Sequence, residues 1–106
     1  MNLINPEFSN MRSNKVIHFI NRMDQRFGVR LSGREYDELN KIFSDKIPSS
    51  LFKVKIKNKN IDYNKDKEKC ISYVLDLIIT GITKRLKCVI VYNTVYKAIV
   101  TIVGLD

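Results

Sequence analysis

The chain has 106 residues, 44% of them apolar, a size and composition that build the single core of one domain and leave no room for several. Lysine and arginine number 19 against 11 acids, and the resulting formal charge of +8 favours nucleic acid or, less often, an anionic membrane surface as partner. No apolar run reaches the roughly 18 residues that span a bilayer, and the start MNLINPEFSN lacks the charged and apolar regions of a signal peptide, so a cytoplasmic protein without a membrane partner is expected.

Residues 1–12 show no sustained period and read as a loose arm ahead of one domain over 13–106. From Val16 the apolar residues Val16, Ile17, Ile20, Met23 and Phe27 recur at helical spacing, with Ser13 or Asn14 placed to cap the first turn and Gly28 to end the last, which predicts a helix over 14–27. The string Ser32-Gly-Arg-Glu35 has the spacing of a capping box. Tyr36, Leu39, Ile42 and Phe43 supply the stripe of a second helix, which Pro48 stops at the latest.

After Pro48 the period becomes two. Phe52, Val54 and Ile56 alternate with Lys53, Lys55 and Lys57, and Lys59 continues the series, which predicts a strand with one apolar and one cationic face. Ile61 and Tyr63 read as a short returning strand, with a solvated loop over 62–69. Residues 70–79 admit both periods; the alternation of Ile71, Tyr73, Leu75, Leu77 and Ile79 favours a strand whose first four apolar residues face the helices. Leu86–Asn93 and Tyr96–Val103, rich in Val, Ile, Thr and Tyr, predict a closing hairpin. Two helices followed by an antiparallel sheet of about four strands define an α+β domain. With a turn centred near 82–83, Cys70 falls opposite about residue 95 and Cys88 opposite about 77, so no disulfide is expected, and neither cysteine has the partners of a zinc site.

Three groups of residues bear on chemistry. His18, Arg22 and Arg26 follow one another at helical offsets, a proton carrier beside cations that suit phosphate; the same wheel sets His18 almost opposite the apolar stripe, where an exposed histidine without a role also fits. Lys53, Lys55 and Lys57 suit a phosphate backbone, because same-face residues of a strand lie about 6.6 Å apart, and they equally suit the charged guard of an edge strand. Lys84, Arg85, Lys87 and Lys97 surround the hairpin with Tyr92, Tyr96 and Thr101, groups that bind phosphate or stack on bases, although tyrosine is also an ordinary strand residue. The chain lacks a P-loop, a nucleophile elbow, a zincin pair and a carboxylate cluster, so neither cofactor nor metal is called for.

Two stretches, HFINRMDQRFGV at 18–29 and VIVYNTVYKAIVTIV at 89–103, together with the element order, resemble small domains of the barnase, EndoU, colicin and RelE-like ribonuclease fold. In many of them an early helix carries a His, an Arg-Met pair and a second Arg before a glycine turn, here His18, Arg22, Met23, Arg26 and Gly28. A final hairpin there reads like the stretch containing Val91, Tyr92, Asn93 and Ile99–Val103 here. Segment 46–85 carries no motif of that family. The resemblance implies metal-independent RNA cleavage, in which the ribose 2′-hydroxyl attacks its own phosphate. His18 would then be acid or base, Arg22 and Arg26 the phosphate clamps, and Thr101 with Tyr92 would orient the phosphate. The expected function is thus an RNA-directed basic domain of toxin-like ribonuclease type. The alternative is a non-catalytic accessory or interaction protein of phage type, bound to nucleic acid, an acidic protein or an inhibitor.

Overall fold

The computed structural model describes residues 6–82 and 84–105, with side chains from residue 14 onward. Two helices, α1 (Pro6–Phe27) and α2 (Gly33–Ser44), precede four strands, β1 (Phe52–Tyr63), β2 (Lys69–Ile79), β3 (Lys84–Asn93) and β4 (Ala98–Gly104), with a short 3-10 turn at Thr80–Ile82. The strands form one antiparallel meander in the order β1-β2-β3-β4. The architecture is α+β with the helices leading, as the change from helical to alternating period after Pro48 predicts.

Helix α1 begins at Pro6, not near residue 14, so residues 6–12 are helical where a loose arm was expected. Proline suits a first helical position, since its missing N–H would have no partner there. The expected arm over 1–5 lies outside the described residues. Gly28 ends the helix in the left-handed region at φ 67°, its N–H donating to the Asp24 carbonyl at 2.9 Å. The capping box of α2 forms as its spacing predicts: the Ser32 hydroxyl accepts from the Glu35 N–H and the Glu35 carboxylate from the Ser32 N–H, at 3.1 and 2.9 Å.

Strand β1 is a single run through Tyr63, so Ile61 and Tyr63 extend it instead of returning as a second strand. The connection is a tight turn over 64–68 in which the Asn64 side chain accepts from the Asp66 and Glu68 N–H groups. The register slips between Ile56 and Asn58, a bulge at Lys57 that reverses the alternation: Lys53 and Lys55 stand on one face, whereas Lys59, opposite Tyr73, stands on the other. Lys59 therefore leaves the cationic series the sequence assigns it to.

Residues 70–79 are strand, and Tyr73, Leu75, Leu77 and Ile79 face the helices, with Ile71 only partly covered. Cys88 pairs with Leu75 and Cys70 with Asn93, two positions from the expected partners. A slip of two keeps every side chain on its face, so the apolar pattern tolerates it, and the observed register sets Ile79 opposite Lys84. Both cysteines are free and buried. Tyr96 falls in the turn between β3 and β4, not in the strand.

The core lies between the helices and this inner sheet face. Phe19 and Met23 of α1, Tyr36, Leu39 and Phe43 of α2, and Phe52, Leu75, Leu77, Cys88, Ile90, Ile99 and Ile102 of the sheet are almost wholly buried. Phe19 meets Tyr36 edge-on, with ring centroids 5.5 Å apart. Among the described residues no helix is long and apolar enough to cross a membrane.

Candidate nucleic-acid interface

The helices cover one face of the sheet, so the pairing registers identify which residues stand on the other. Lys53 pairs with Ile78 and that with Arg85; Lys55 pairs with Asp76 and that with Lys87; beyond them follow Asn58, Val74, Val89 and Val103, then Asn60, Ser72, Val91 and Thr101. Five of the cations singled out by sequence, Lys53, Lys55, Lys57, Arg85 and Lys87, thus gather on one end of the outer face.

Asp76 sits in their midst with 1% of its side chain exposed. Its Oδ2 accepts from Arg85 Nη2 at 2.6 Å and Nε at 3.2 Å, and its Oδ1 lies 3.4 Å from Lys57 Nζ without a hydrogen bond. The two cations lie over the carboxylate and shield it on an otherwise open face, and both remain about half exposed. The Arg85 hydrogen bonds hold the Asp76 carboxyl below its ordinary value; desolvation opposes them and Lys57 adds to them. Lys53, Lys55 and Lys87 are exposed and have no acidic partner among the described residues. Asp76 was not singled out by sequence: an acid inside the alternating run of 70–79 signals an outward position, but its cationic cover depends on two other strands.

The remaining basic candidates go elsewhere. Lys84 is on the inner side of the sheet, opposite Ile79, and its Nζ donates to the Phe27 carbonyl at 2.8 Å, so it caps the end of α1. Lys97 lies at φ 52° in the β3–β4 turn, at the far end of β3 from Arg85 and Lys87.

The catalytic candidates divide. His18, with Asn14 and Lys15 of α1, and Thr101, with Val100 of β4, line one shallow cleft of about 340 Å³ where α1 runs beside β4. His18 is exposed, as its place opposite the apolar stripe predicts; Arg22 is half-buried and Arg26 exposed. Tyr92 stands apart: it is 6% exposed and stacks on Phe43 at 6.4 Å within the core, on the opposite face from Thr101. Lys15 also lies over the Tyr96 ring at 4.9 Å and so ties α1 to the β3–β4 turn.

Burial pushes the Cys88 thiol up to about 12 and, with Glu68 adding to it, raises that of Cys70, which keeps both in the unreactive thiol form. Among the described residues no group of His, Cys, Asp and Glu is arranged to hold a metal ion. Comparison with protein-family models, with curated proteins and with solved structures finds no match to this chain.

Proposed function

We propose that this protein binds nucleic acid, RNA foremost, by the phosphate backbone laid across the outer face of its sheet. The observation that carries the reading is the set of unpaired cations, Lys53, Lys55 and Lys87, around the anchored pair Lys57 and Arg85 on an uncovered surface. Arg85 spends two donors on Asp76 and keeps the rest of its fork for a phosphate oxygen. By register no aromatic side chain stands on this face among the described residues, which gives no platform for base stacking, so contacts to phosphate dominate and sequence preference is weak.

The test is the salt dependence of binding, followed by the fluorescence anisotropy of labelled single-stranded RNA. Each phosphate contact contributes about 0.7 to the logarithmic salt slope, so replacing Lys53, Lys55 and Lys87 together by Gln should flatten it by about 2. Lys97→Gln, at the far end of the sheet, should leave the slope near that of the parent. An unchanged slope in the triple variant removes the outer face as the binding surface.

A second reading, metal-independent RNA cleavage, is favoured by one observation, the shared cleft of His18 and Thr101. Imidazole is the side chain whose ordinary titration range suits proton transfer near neutral pH. If the protein cleaves RNA in the presence of chelator, His18→Ala should lower the rate by about 10²- to 10⁴-fold with binding retained. Full activity in that variant ends the role of His18, and binding without cleavage by the intact protein leaves the non-catalytic reading.

A further inference from the structure

Beyond nucleic-acid binding, the start of β1 has the features of a docking edge. Among the described residues β1 is the last strand of the sheet on its side, and no strand neighbours its outward edge. Between the end of α2 and this edge opens an apolar cleft of about 490 Å³, lined among others by Ile42, Ile47, Phe52 and Val54, with Lys46 and Lys53 at its rim. Ile47, in its lining, is 49% exposed, and Ile56, two residues beyond Val54 on the inner face of β1, is 50% exposed. On the outer face of the same short stretch stand Lys53 and Lys55. The Phe52 N–H already donates to Ser49 Oγ at 3.3 Å and the bulge at Lys57 ends the regular edge, so the stretch available for pairing runs from the Phe52 carbonyl to Ile56.

We propose that Phe52–Ile56 receives an extended segment of another protein in which apolar and acidic residues alternate. A strand added to an edge gains backbone hydrogen bonds along its length and sends alternate side chains to opposite faces. One set then enters the cleft beside Val54 and Ile56, and the other meets Lys53 and Lys55. The charge decides between occupants: a second copy paired through Phe52–Ile56 would bring two sets of Lys53 and Lys55 together along one seam, whereas acidic residues at every second position neutralise them.

The probe is a labelled peptide Glu-Val-Glu-Val-Glu-Val-Glu, set against the block isomer Glu-Glu-Glu-Glu-Val-Val-Val, with no RNA present, so the result does not depend on nucleic-acid binding. The alternating peptide should bind about tenfold or more tightly than its isomer, and amide exchange over 52–56 should slow on binding. Ile56→Gln, at a half-exposed site, should lose about tenfold with an unchanged urea midpoint. Lys53→Glu with Lys55→Glu should invert the preference towards Lys-Val-Lys-Val-Lys-Val-Lys. Equal binding of the two isomers, unchanged exchange over 52–56, or a free protein that sediments as a dimer with those amides already protected would each overturn the proposal.

Discussion

At the β4 edge of the sheet, α2 supplies what a fifth strand would. The Asn40 amide acts as a peptide group in side-chain form: its Oδ1 accepts from the Ile99 N–H at 2.8 Å and its Nδ2 donates to the Lys97 carbonyl at 2.9 Å. The Tyr36 hydroxyl donates to the Ile99 carbonyl at 2.7 Å, and α1 runs alongside. At the β1 edge no element follows among the described residues; a bulge and a row of lysines take the place of a cover. One edge is closed by hydrogen bonds at the cost of burying polar groups, and the other is kept open and guarded by charge. The difference divides the sheet: the closed edge fixes the helices on it, and the open side carries the surface to which the proposed partners are assigned.

The closed edge is the more sensitive to substitution. Asn40→Ala leaves a buried N–H and a carbonyl without partners, and urea unfolding should show a loss of about 2–4 kcal/mol. Tyr36→Phe removes one buried donor and keeps the ring against Phe19, so about 1 kcal/mol is expected in the same assay. A loss below about 0.5 kcal/mol for Asn40→Ala would mean that water satisfies this edge as it does the other.

On the outer face, the Asp76 cluster gives stability a pH dependence with a definite sign. Because Arg85 lowers the Asp76 pKa in the folded state, the unfolded chain takes up the proton first. The contribution is therefore fully present above the ordinary value of 3.8 and is lost as pH falls through the lower folded value. The urea midpoint of the parent should fall as pH drops below about 4, and Asp76→Asn should show a smaller fall over that range. Parallel profiles would remove Asp76 as a source of the acid sensitivity.

The smallest effect on folding, and a large one on solubility, is expected at the open edge. Lys53→Thr with Lys55→Val, at exposed lysines outside the Asp76 cluster, should change stability by no more than about 0.5 kcal/mol, while light scattering at high protein concentration rises. Retained solubility would show that the bulge alone protects β1.

How much of this was legible in the sequence follows from the range of the interactions. The capping box at Ser32 and Glu35, the stop at Gly28 and the alternation of β2 are written within a few residues, and they appear where the spacing puts them. The bulge at Lys57 was not legible, because the alternating lysines continue through it and only pairing with β2 reveals the change of face. Asn40 was hidden among the polar positions of α2, since its role depends on a strand nearly sixty residues on. Composition groups Lys84 with the phosphate-binding cations, yet pairing turns it towards the inner face; Tyr92 packs as the ordinary strand residue it also reads as, away from the phosphate-orienting place the resemblance implies. For the interface, the charge pattern gave the residue types and the strand registers decided which of them share a surface.

The most direct test of the outer face is a titration of the isotope-labelled protein with single-stranded RNA, followed by amide and lysine side-chain NMR shifts. The account predicts that the largest shifts fall on Lys53, Lys55, Lys57, Arg85 and Lys87 and on the intervening Val74 and Val89, with Lys84, Lys97 and the inner-face residues little changed. Shifts concentrated instead on Lys97 and the β3–β4 turn, or no shifts at low salt, would contradict it.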